Sequence, residues 1–316
     1  MMEHAALYSD LAEGPSKGDA YWIETEDGLR LRVGLWRKET ASSGTVFLFP
    51  GRTEYVEIYG RTATELDELG FSTFVIDWRG QGLSDRQTAD RMAGHVNDFK
   101  DFQKDVAAMV EAAQELDLPK PWFLLGHSMG ACIGTRALIE GLPVEACGFS
   151  APMFDIHLSK VERMGAWPLT WAAKAFGKAH NYAPGYSGKS YVLSNDFSDN
   201  RLTNDPDMYR YWTKQALSQS DLLIGGPTMG WLFQALKETK ALSGMKSPDI
   251  PCIAFGGSED AIVDLLAIKN RMTRWPNSKF ECIEGAKHEL LAEKPATRAD
   301  MLKKIADLFK SIEKAA

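Results

Sequence analysis

Alternating apolar and polar residues mark the first structured segment of the chain. Asp19–Glu24 and Leu29–Trp36 alternate in this way, and Thr25–Gly28 between them has the composition of a tight turn. Alternation sends successive side chains to opposite faces of a strand. The pattern therefore predicts an antiparallel hairpin with one solvated face.

The pattern then changes to short, continuously apolar runs that are each followed by a glycine-containing turn. These runs are Thr45–Phe49, Thr73–Ile76, Trp122–Leu125, Cys252–Phe255 and Lys279–Ile283. Runs of this kind are typical of parallel strands covered by helices on both faces. Helical spacing of apolar residues lies between them, at about residues 56–69, 98–116, 129–141, 264–274 and 294–314. The alternation predicts an α/β fold with a mostly parallel central sheet and helices on both faces.

Residues 153–240 interrupt this rhythm. They are rich in Trp, Tyr, Met, Asn and Ser and combine helical patterns with loops. We interpret them as a mainly helical cap inserted into one α/β core, which then consists of residues 1–152 and 241–316. Aromatic residues of the cap, such as Trp167 and Trp231, are typical of internal packing. The alternative is that they line a pocket for an acyl chain.

A candidate nucleophile lies where the apolar run Trp122–Leu125 ends and a helical pattern begins. Gly126–Gly130 has the sequence GHSMG, a G-x-S-x-G motif between a strand and a helix. The sharp turn requires small residues around the serine, raises its hydroxyl above the sheet and points the next amide at the substrate oxygen. We predict that Ser128 is the nucleophile and that the N–H of Met129 is an oxyanion-hole donor.

The predicted nucleophile needs a general base, and the base needs an orienting carboxylate. In folds with this motif the chain order is serine, acid, histidine. Of the six histidines, His288 alone satisfies that order and also follows a predicted strand. The others precede the serine, adjoin it or fall in the predicted cap: His4, His95, His127, His157 and His180. We predict that His288 is the base.

The orienting acid should lie between the serine and the histidine, at the end of a strand. Asp260 follows the apolar run Cys252–Phe255 and a pair of glycines, and it is our prediction for the acid. Glu259 and Asp264 are the competing candidates. In the mechanism, the carboxylate stays ionised, fixes the histidine tautomer and stabilises the imidazolium.

A second amide donor for the oxyanion is expected in the loop after the run Thr45–Phe49. This loop contains Pro50, Gly51 and Arg52, and the glycine allows the backbone to approach a ligand closely. We predict that the amide of Arg52 is the donor. The alternative is that Pro50 and Gly51 only end the strand.

Composition restricts the remaining classes of function. The chain has 316 residues, a net charge of −7 and 44% hydrophobic residues, as expected for a globular protein. An acidic balance disfavours nucleic-acid binding, which requires a basic surface. The four cysteines lie in apolar runs without zinc-ligand spacing, and we expect buried, reduced thiols. The predicted chemistry requires no metal or organic cofactor.

The N-terminal segment has no cationic stretch followed by an apolar one, so we expect no secretory signal. No run approaches the roughly 18 apolar residues of a membrane span. We therefore expect a cytoplasmic protein with at most peripheral membrane contact. The oligomeric state is not encoded in any pattern of the sequence.

Several segments spaced along the chain are similar to motifs of one known protein family. They are PGRTEYVEIYGRTATELDELGF, IDWRGQGLSDR, GHSMG, SAPMF, GGPT and EGAKHELLAEK. With these segments in this order, the whole chain resembles the bacterial lysophospholipase and monoacylglycerol lipase branch of the α/β-hydrolases.

The resemblance implies the same serine, acid and histidine, a helical cap, and hydrolysis of single-chain acyl esters. It also implies that Arg52 and Glu54 help to order the oxyanion loop. Two positions depart from the pattern. Pro50 stands where the lipases commonly have a histidine, which favours the bacterial lysophospholipases, and Ala131 stands where a further glycine often follows the motif.

The sequence therefore predicts a serine hydrolase that cleaves a lysophospholipid or a monoacylglycerol through an acyl-enzyme. One alternative is an esterase, thioesterase or lactonase for small non-lipid substrates, since the same triad serves all of these. A second alternative is a noncatalytic binding protein built on a hydrolase fold.

Overall fold

A sheet of eight strands forms the centre of the computed structural model, which describes residues 2–39 and 42–313. The strands are β1 (Gly18–Glu24), β2 (Arg30–Trp36), β3 (Thr45–Phe49), β4 (Ser72–Asp77), β5 (Trp122–His127), β6 (Cys147–Ser150), β7 (Cys252–Gly257) and β8 (Ser278–Ile283). Their order across the sheet is β1-β2-β4-β3-β5-β6-β7-β8. Strand β2 is antiparallel to both neighbours, and all other pairs are parallel. The predicted hairpin and mostly parallel sheet are confirmed.

The described residues form ten α-helices, several of which cover the centre of this sheet. They are α1 (Ser9–Ala12), α2 (Gly60–Glu68), α3 (Phe102–Glu115), α4 (Met129–Ile139), α5 (Lys160–Ala175), α6 (Tyr191–Ser194), α7 (Pro206–Ser218), α8 (Met229–Gly244), α9 (Leu265–Met272) and α10 (Pro295–Glu313). Every residue of β3 to β7 is buried, so both faces of the central strands are covered. None of the described helices combines the length and apolar character that a bilayer crossing requires.

The parallel register brings the carboxyl ends of the central strands to one edge of the sheet. Phe49 of β3 is level with Gly126 of β5, and His127 of β5 is level with Ser150 of β6. Loops that follow neighbouring parallel strands therefore meet at this edge, where ligands bind in open α/β sheets.

Residues 153–240 lie between β6 and β7 and contain α5, α6, α7 and most of α8. The described residues of this segment contain no strand, and three isolated bridges involve them: Pro227 with Gly94, Ile156 with Val263, and Tyr182 with Thr228. Helix α8 continues to Gly244 and is tied to α4 by an ion pair between Glu238 and Arg136. The composition is that of the expected cap, and its boundaries at 153 and 240 stay a prediction.

Two expectations about the second half of the sheet differ from the structure. Strand β6 was not among the predicted runs, because its four residues, CGFS, are too short and too small to form an apolar signal. The expectation that all cysteines are buried is wrong for Cys282, which is exposed. It lies on β8, and this strand is at the sheet edge with only partial cover, so Lys279 is exposed as well.

A fully buried ionic cluster fixes the segment that follows the oxyanion loop. The Arg32 guanidinium donates to Asp77 at 2.7 Å and, through both terminal nitrogens, to the two oxygens of Glu57 at 2.7 Å. All three side chains have 0% exposure. Asp77 also accepts from the amide of Val56 at 2.8 Å, so the cluster joins β2 and β4 to residues 56–59. Buried charges of this kind are tolerated only when they are paired and hydrogen-bonded.

Replacing Arg32 by Met should lower the free energy of unfolding by about 3–5 kcal/mol, because two buried carboxylates lose their partner. Urea denaturation followed by circular dichroism measures this loss. Arg30→Met is the matched control, since Arg30 is 47% exposed and pairs with Glu3, which is 70% exposed. The control should cost less than about 1 kcal/mol. Equal losses in the two variants would contradict the importance of the buried cluster.

Candidate active site

The predicted nucleophile lies on a strained turn between β5 and α4. Ser128 has φ 48° and ψ −116°, an unfavourable backbone conformation for a residue with a side chain. The turn has no room for side chains two residues before or two residues after the serine. A Cβ on Gly130 would lie 2.0 Å from the carbonyl oxygen of Phe49, and one on Gly126 would lie 2.8 Å from the α-carbon of Ala131. Both glycines of the motif are therefore required by close backbone packing.

The structure brings the predicted serine, histidine and aspartate together. The Nε2 atom of His288 is 2.9 Å from the Oγ of Ser128, and its Nδ1 atom is 2.7 Å from Oδ2 of Asp260. Ser128 is 7% exposed and His288 is 3% exposed. A histidine held in this way can take the hydroxyl proton while its other nitrogen donates to the carboxylate.

Asp260 is held in place by the turn that follows β7. Its Oδ1 accepts from the amides of Ile262 at 2.7 Å and Val263 at 3.1 Å, which leaves Oδ2 directed at His288. Burial alone would raise the pKa of Asp260, but the charge of His288 and the hydrogen bonds outweigh it and lower the pKa. Asp260 therefore remains an acceptor for the histidine at neutral pH.

The two competing acids occupy other positions. Glu259 is exposed to solvent. Asp264 caps the N-terminus of α9, where its Oδ1 accepts from the amides of Leu266 at 2.8 Å and Ala267 at 3.0 Å. Of the three candidates, Asp260 is the one that contacts His288.

Two backbone amides beside the serine are available to a ligand. Within the described residues, the amides of Arg52 and Met129 donate to no protein acceptor. Met129 is the first residue of α4, where amides lack an intrahelical partner and the helix dipole favours negative charge. The carbonyl of Pro50 and the backbone of Gly130 pack closely, which brings the Arg52 loop next to the elbow.

A buried cluster beneath the serine joins the oxyanion loop to the histidine loop. Glu54 accepts hydrogen bonds from the amide of Gly51 and from the hydroxyl of Tyr59. The Nε2 atom of His127 lies 3.0 Å from Glu289 and 3.7 Å from Glu54. The approach to Glu289 is an ion-pair contact, because the carboxylate is off the axis of the imidazole N–H.

The remaining contacts of His127 and Gln81 complete this support. The Nδ1 atom of His127 is 3.1 Å from the carbonyl oxygen of Ser150. Gln81 donates to the carbonyl of Gly51 at 3.0 Å and accepts from the amide of Thr53 at 3.0 Å. Each turn of the oxyanion loop is thus held by a buried polar side chain.

Sequence reasoning found Glu54 through the family resemblance alone and missed His127, Glu289, Tyr59 and Gln81 as supporting residues. His127 and Glu289 adjoin the predicted Ser128 and His288 in the chain, which was the available signal. Because they lie far apart in sequence, only the folded chain reveals their contact.

Burial and charge act together on the ionisation of this cluster. Burial raises the pKa of Glu54, and the neighbouring carboxylate of Glu289 raises it further. Burial opposes charge on His127, but the carboxylates of Glu289 and Glu54 outweigh it and raise the pKa of His127 to about 9. The charge of His127 in turn lowers the pKa of Glu289 against the effect of burial. These directions favour a neutral Glu54 beside a His127–Glu289 ion pair.

One group of side chains has the composition of a metal site. His127, His288 and Glu289 offer donor atoms that lie within 4.8 Å of one another. These atoms are already engaged, however, since His288 contacts Ser128 and Asp260 and the other two form an ion pair. A cation would have to displace these contacts.

This chain is similar to one family model and to several known proteins. A family model described as serine aminopeptidase, S33 (Hydrolase_4) matches residues 40–295. Lysophospholipase L2 of Escherichia coli strain K12 is 34% identical over 283 residues, which cover 84% of this chain and 79% of that protein. Phospholipase YtpA of Bacillus subtilis strain 168 is 32% identical over 258 residues, which cover 78% of this chain and 88% of that protein.

A solved structure shares the fold. A soluble variant of monoglyceride lipase from Saccharomyces cerevisiae, in complex with a substrate analog, superimposes with a TM-score of 0.71 over 92% of this chain and 94% of that chain. The two sequences are 18% identical over this match, so the likeness concerns the architecture alone.

The His127 cluster predicts a loss of stability in mildly alkaline solution. A histidine in the unfolded chain has a pKa of about 6.5, and in the folded protein the pKa of His127 is about 9. Its contribution is full below the unfolded pKa and disappears as the pH rises through the folded pKa. The raised pKa of Glu54 acts in the same direction. We expect the free energy of unfolding to fall between pH 6.5 and 9 by on the order of 3 kcal/mol.

Urea denaturation across this pH range measures the effect. His127→Asn should flatten the pH dependence, whereas His157→Asn, at an exposed position, should leave it as in the wild type. An equal slope in the wild type and the His127→Asn variant would contradict the assignment. The lowered pKa values of Asp260 and Glu289 affect stability in acid and not in this range.

Proposed function

Since this chain belongs to the serine aminopeptidase S33 family and is an ester hydrolase acting on lipids, we propose that Ser128, His288 and Asp260 form its catalytic triad. The substrate we propose is a single-chain acyl lipid, either a lysophospholipid or a monoacylglycerol. The observation that carries the proposal is the 2.9 Å contact between Ser128 Oγ and His288 Nε2 on a strained turn beside two available amides.

Acylation follows from these positions. The Ser128 oxygen attacks the ester carbonyl as His288 Nε2 takes its proton, and the carbonyl oxygen becomes an oxyanion. The amides of Arg52 and Met129 donate to this oxyanion, where each donor contributes on the order of 10²–10³ in rate. His288 then gives its proton to the departing alcohol, which leaves the acyl group on Ser128 and the imidazole neutral.

Deacylation repeats the same route with water. His288 takes a proton from a water molecule, and the resulting hydroxide attacks the acyl ester. The second tetrahedral intermediate breaks down as His288 returns the proton to Ser128, and the fatty acid leaves. Asp260 stays ionised throughout and stabilises the imidazolium at each stage.

The surface of α5 supports peripheral contact with lipid. Several of its apolar side chains face solvent, among them Val161 and Met164 at 80% exposure and Trp171 at 63%. Exposed apolar groups on one helix favour association with a lipid interface. We also propose a cytoplasmic location, which suits a chain whose cysteines are free thiols.

A small-ester or thioester substrate is the second candidate, because the same triad would serve it. Hydrolysis of lysophosphatidylcholine, 1-monoacylglycerol and a short p-nitrophenyl ester, measured side by side, separates the two. We expect the long-chain lipids to give the higher kcat/KM. Cleavage of the short ester alone would refute the lipid substrate and leave the triad intact.

Ser128→Ala should lower kcat on every substrate by about 10⁴- to 10⁶-fold, because the acyl-enzyme can no longer form. Initial rates of fatty-acid release measure this loss. Intact protein should also be labelled by a fluorophosphonate, with loss of labelling in the variant. A variant that retained most of its ester hydrolysis would refute the role of Ser128.

Asp260→Asn should lower kcat by about 10⁴-fold, since an amide cannot fix the histidine tautomer or stabilise the imidazolium. Asp264→Asn and Glu259→Gln remove the competing carboxylates and serve as controls that should retain activity within about threefold. A larger loss in either control than in Asp260→Asn would assign the acid to that residue instead.

A further inference from the structure

The side chain of Arg52 differs from three buried arginines that are paired with carboxylates. Arg32, Arg79 and Arg136 each form an ion pair with at least one carboxylate at 2.9 Å or closer. In the part of the chain that the structure describes, the Arg52 guanidinium has no such partner. The Arg52 side chain is partly buried, and a partly buried guanidinium without a paired anion can bind one from solution.

The contacts of Arg52 leave part of the guanidinium available. Nη1 donates to the carbonyl oxygen of Gly225 at 2.9 Å, and the guanidinium carbon lies 5.5 Å from the centre of the Trp231 ring. Within the described chain, the remaining N–H groups of the guanidinium meet no protein acceptor, and they are not fully buried. They are therefore open to solvent. Burial lowers the pKa of Arg52 to about 10, so the side chain is still charged at neutral pH.

Among the described arginines that are not solvent-exposed, Arg86 and Arg271 also lack a carboxylate partner, and their surroundings differ. Arg86 donates to three carbonyl oxygens of its own loop, those of Gly82, Ser84 and Arg91. Arg271 donates to the carbonyls of Leu242 and Met245, where α8 ends. Neither adjoins the reacting atoms in the chain, whereas Arg52 carries one of the two proposed oxyanion amides.

The position of Arg52 limits the distance between its guanidinium and the scissile ester. Its amide is proposed to bind the ester oxygen, so its side chain starts at the scissile ester and ends one side-chain length away. In a lysophospholipid, the phosphate is separated from the ester by a glycerol unit, which has a comparable length. A planar guanidinium presents paired N–H groups that match phosphate oxygens.

We propose that the Arg52 guanidinium binds the phosphate of a lysophospholipid headgroup and makes the enzyme prefer lysophospholipids to monoacylglycerols. The inference rests on the proposed function, because it takes the ester to be cleaved at Ser128. The Trp231 ring and the Gly225 carbonyl hold the guanidinium in place, and the phosphate supplies the missing anion. A monoacylglycerol offers only hydroxyl groups at this position.

The ratio of two activities tests the proposal. We expect Arg52→Met to lower the ratio of kcat/KM for lysophosphatidylcholine to that for 1-monoacylglycerol, at equal acyl chain, by about tenfold or more. Both substrates are presented in the same neutral detergent micelles. The amide of residue 52 binds the oxyanion formed from either ester, so any effect of the substitution on this amide cancels in the ratio. Arg52→Lys keeps the charge without the paired donors and should fall between the wild type and Arg52→Met.

Arg210→Met is the matched control, because it removes an arginine whose side chain is 74% exposed on α7. It should leave the ratio unchanged. An unchanged ratio in Arg52→Met, which means equal losses on the two lipids, would overturn the proposal. Arg52 would then serve to hold its loop against Gly225.

A second arm does not depend on lipid turnover. Glycerophosphocholine should inhibit hydrolysis of the short p-nitrophenyl ester by the wild type, and its inhibition constant should rise about tenfold or more in Arg52→Met. If the wild type cleaves neither lipid, the proposed substrate fails while this arm still reports on the phosphate site. Inhibition that is absent in the wild type, or equal in the two proteins, would refute phosphate binding by Arg52.

Discussion

The close approach of helix α4 to the end of strand β3 is the constraint on which the site depends. Because Gly130 packs against the carbonyl oxygen of Phe49, no residue with a side chain fits two positions after the serine. The same approach requires the left-handed backbone of Ser128 and leaves the first amide of α4 without a partner. Strain at one residue is stabilised by the buried strands on either side, as expected where surrounding structure fixes an unfavourable conformation.

Buried charges, rather than apolar contacts, position the loops around this turn. Glu54 and Glu289 come from two loops and His127 from the end of β5, and these three segments, distant in sequence, meet beside Ser128. The Arg32 cluster fixes the helix that follows the oxyanion loop in the same manner. Ionic contacts of this kind lose much more when one partner is removed than a surface pair does, so they favour one arrangement of the loops.

The sequence predicts those features that are encoded locally. Apolar runs locate the buried strands, and chain order with strand ends selects His288 and Asp260. Features that depend on neighbours across the sheet are different. Strand β6 is too short to form a pattern, and Cys282 is exposed because β8 has a neighbour on one side only. The contact between His127 and Glu289 joins the end of β5 to a loop that lies about half of the chain away. The surroundings of the Arg52 side chain likewise depend on Gly225 and Trp231, which only folding brings near.

The depth of Ser128 affects which acceptors can take the acyl group. The serine is 7% exposed and the histidine that must activate the acceptor is 3% exposed. Water or an alcohol must reach these two buried groups to take the acyl group. The balance between hydrolysis and acyl transfer therefore depends on which acceptor reaches the buried serine and histidine, because the triad itself treats water and alcohols alike.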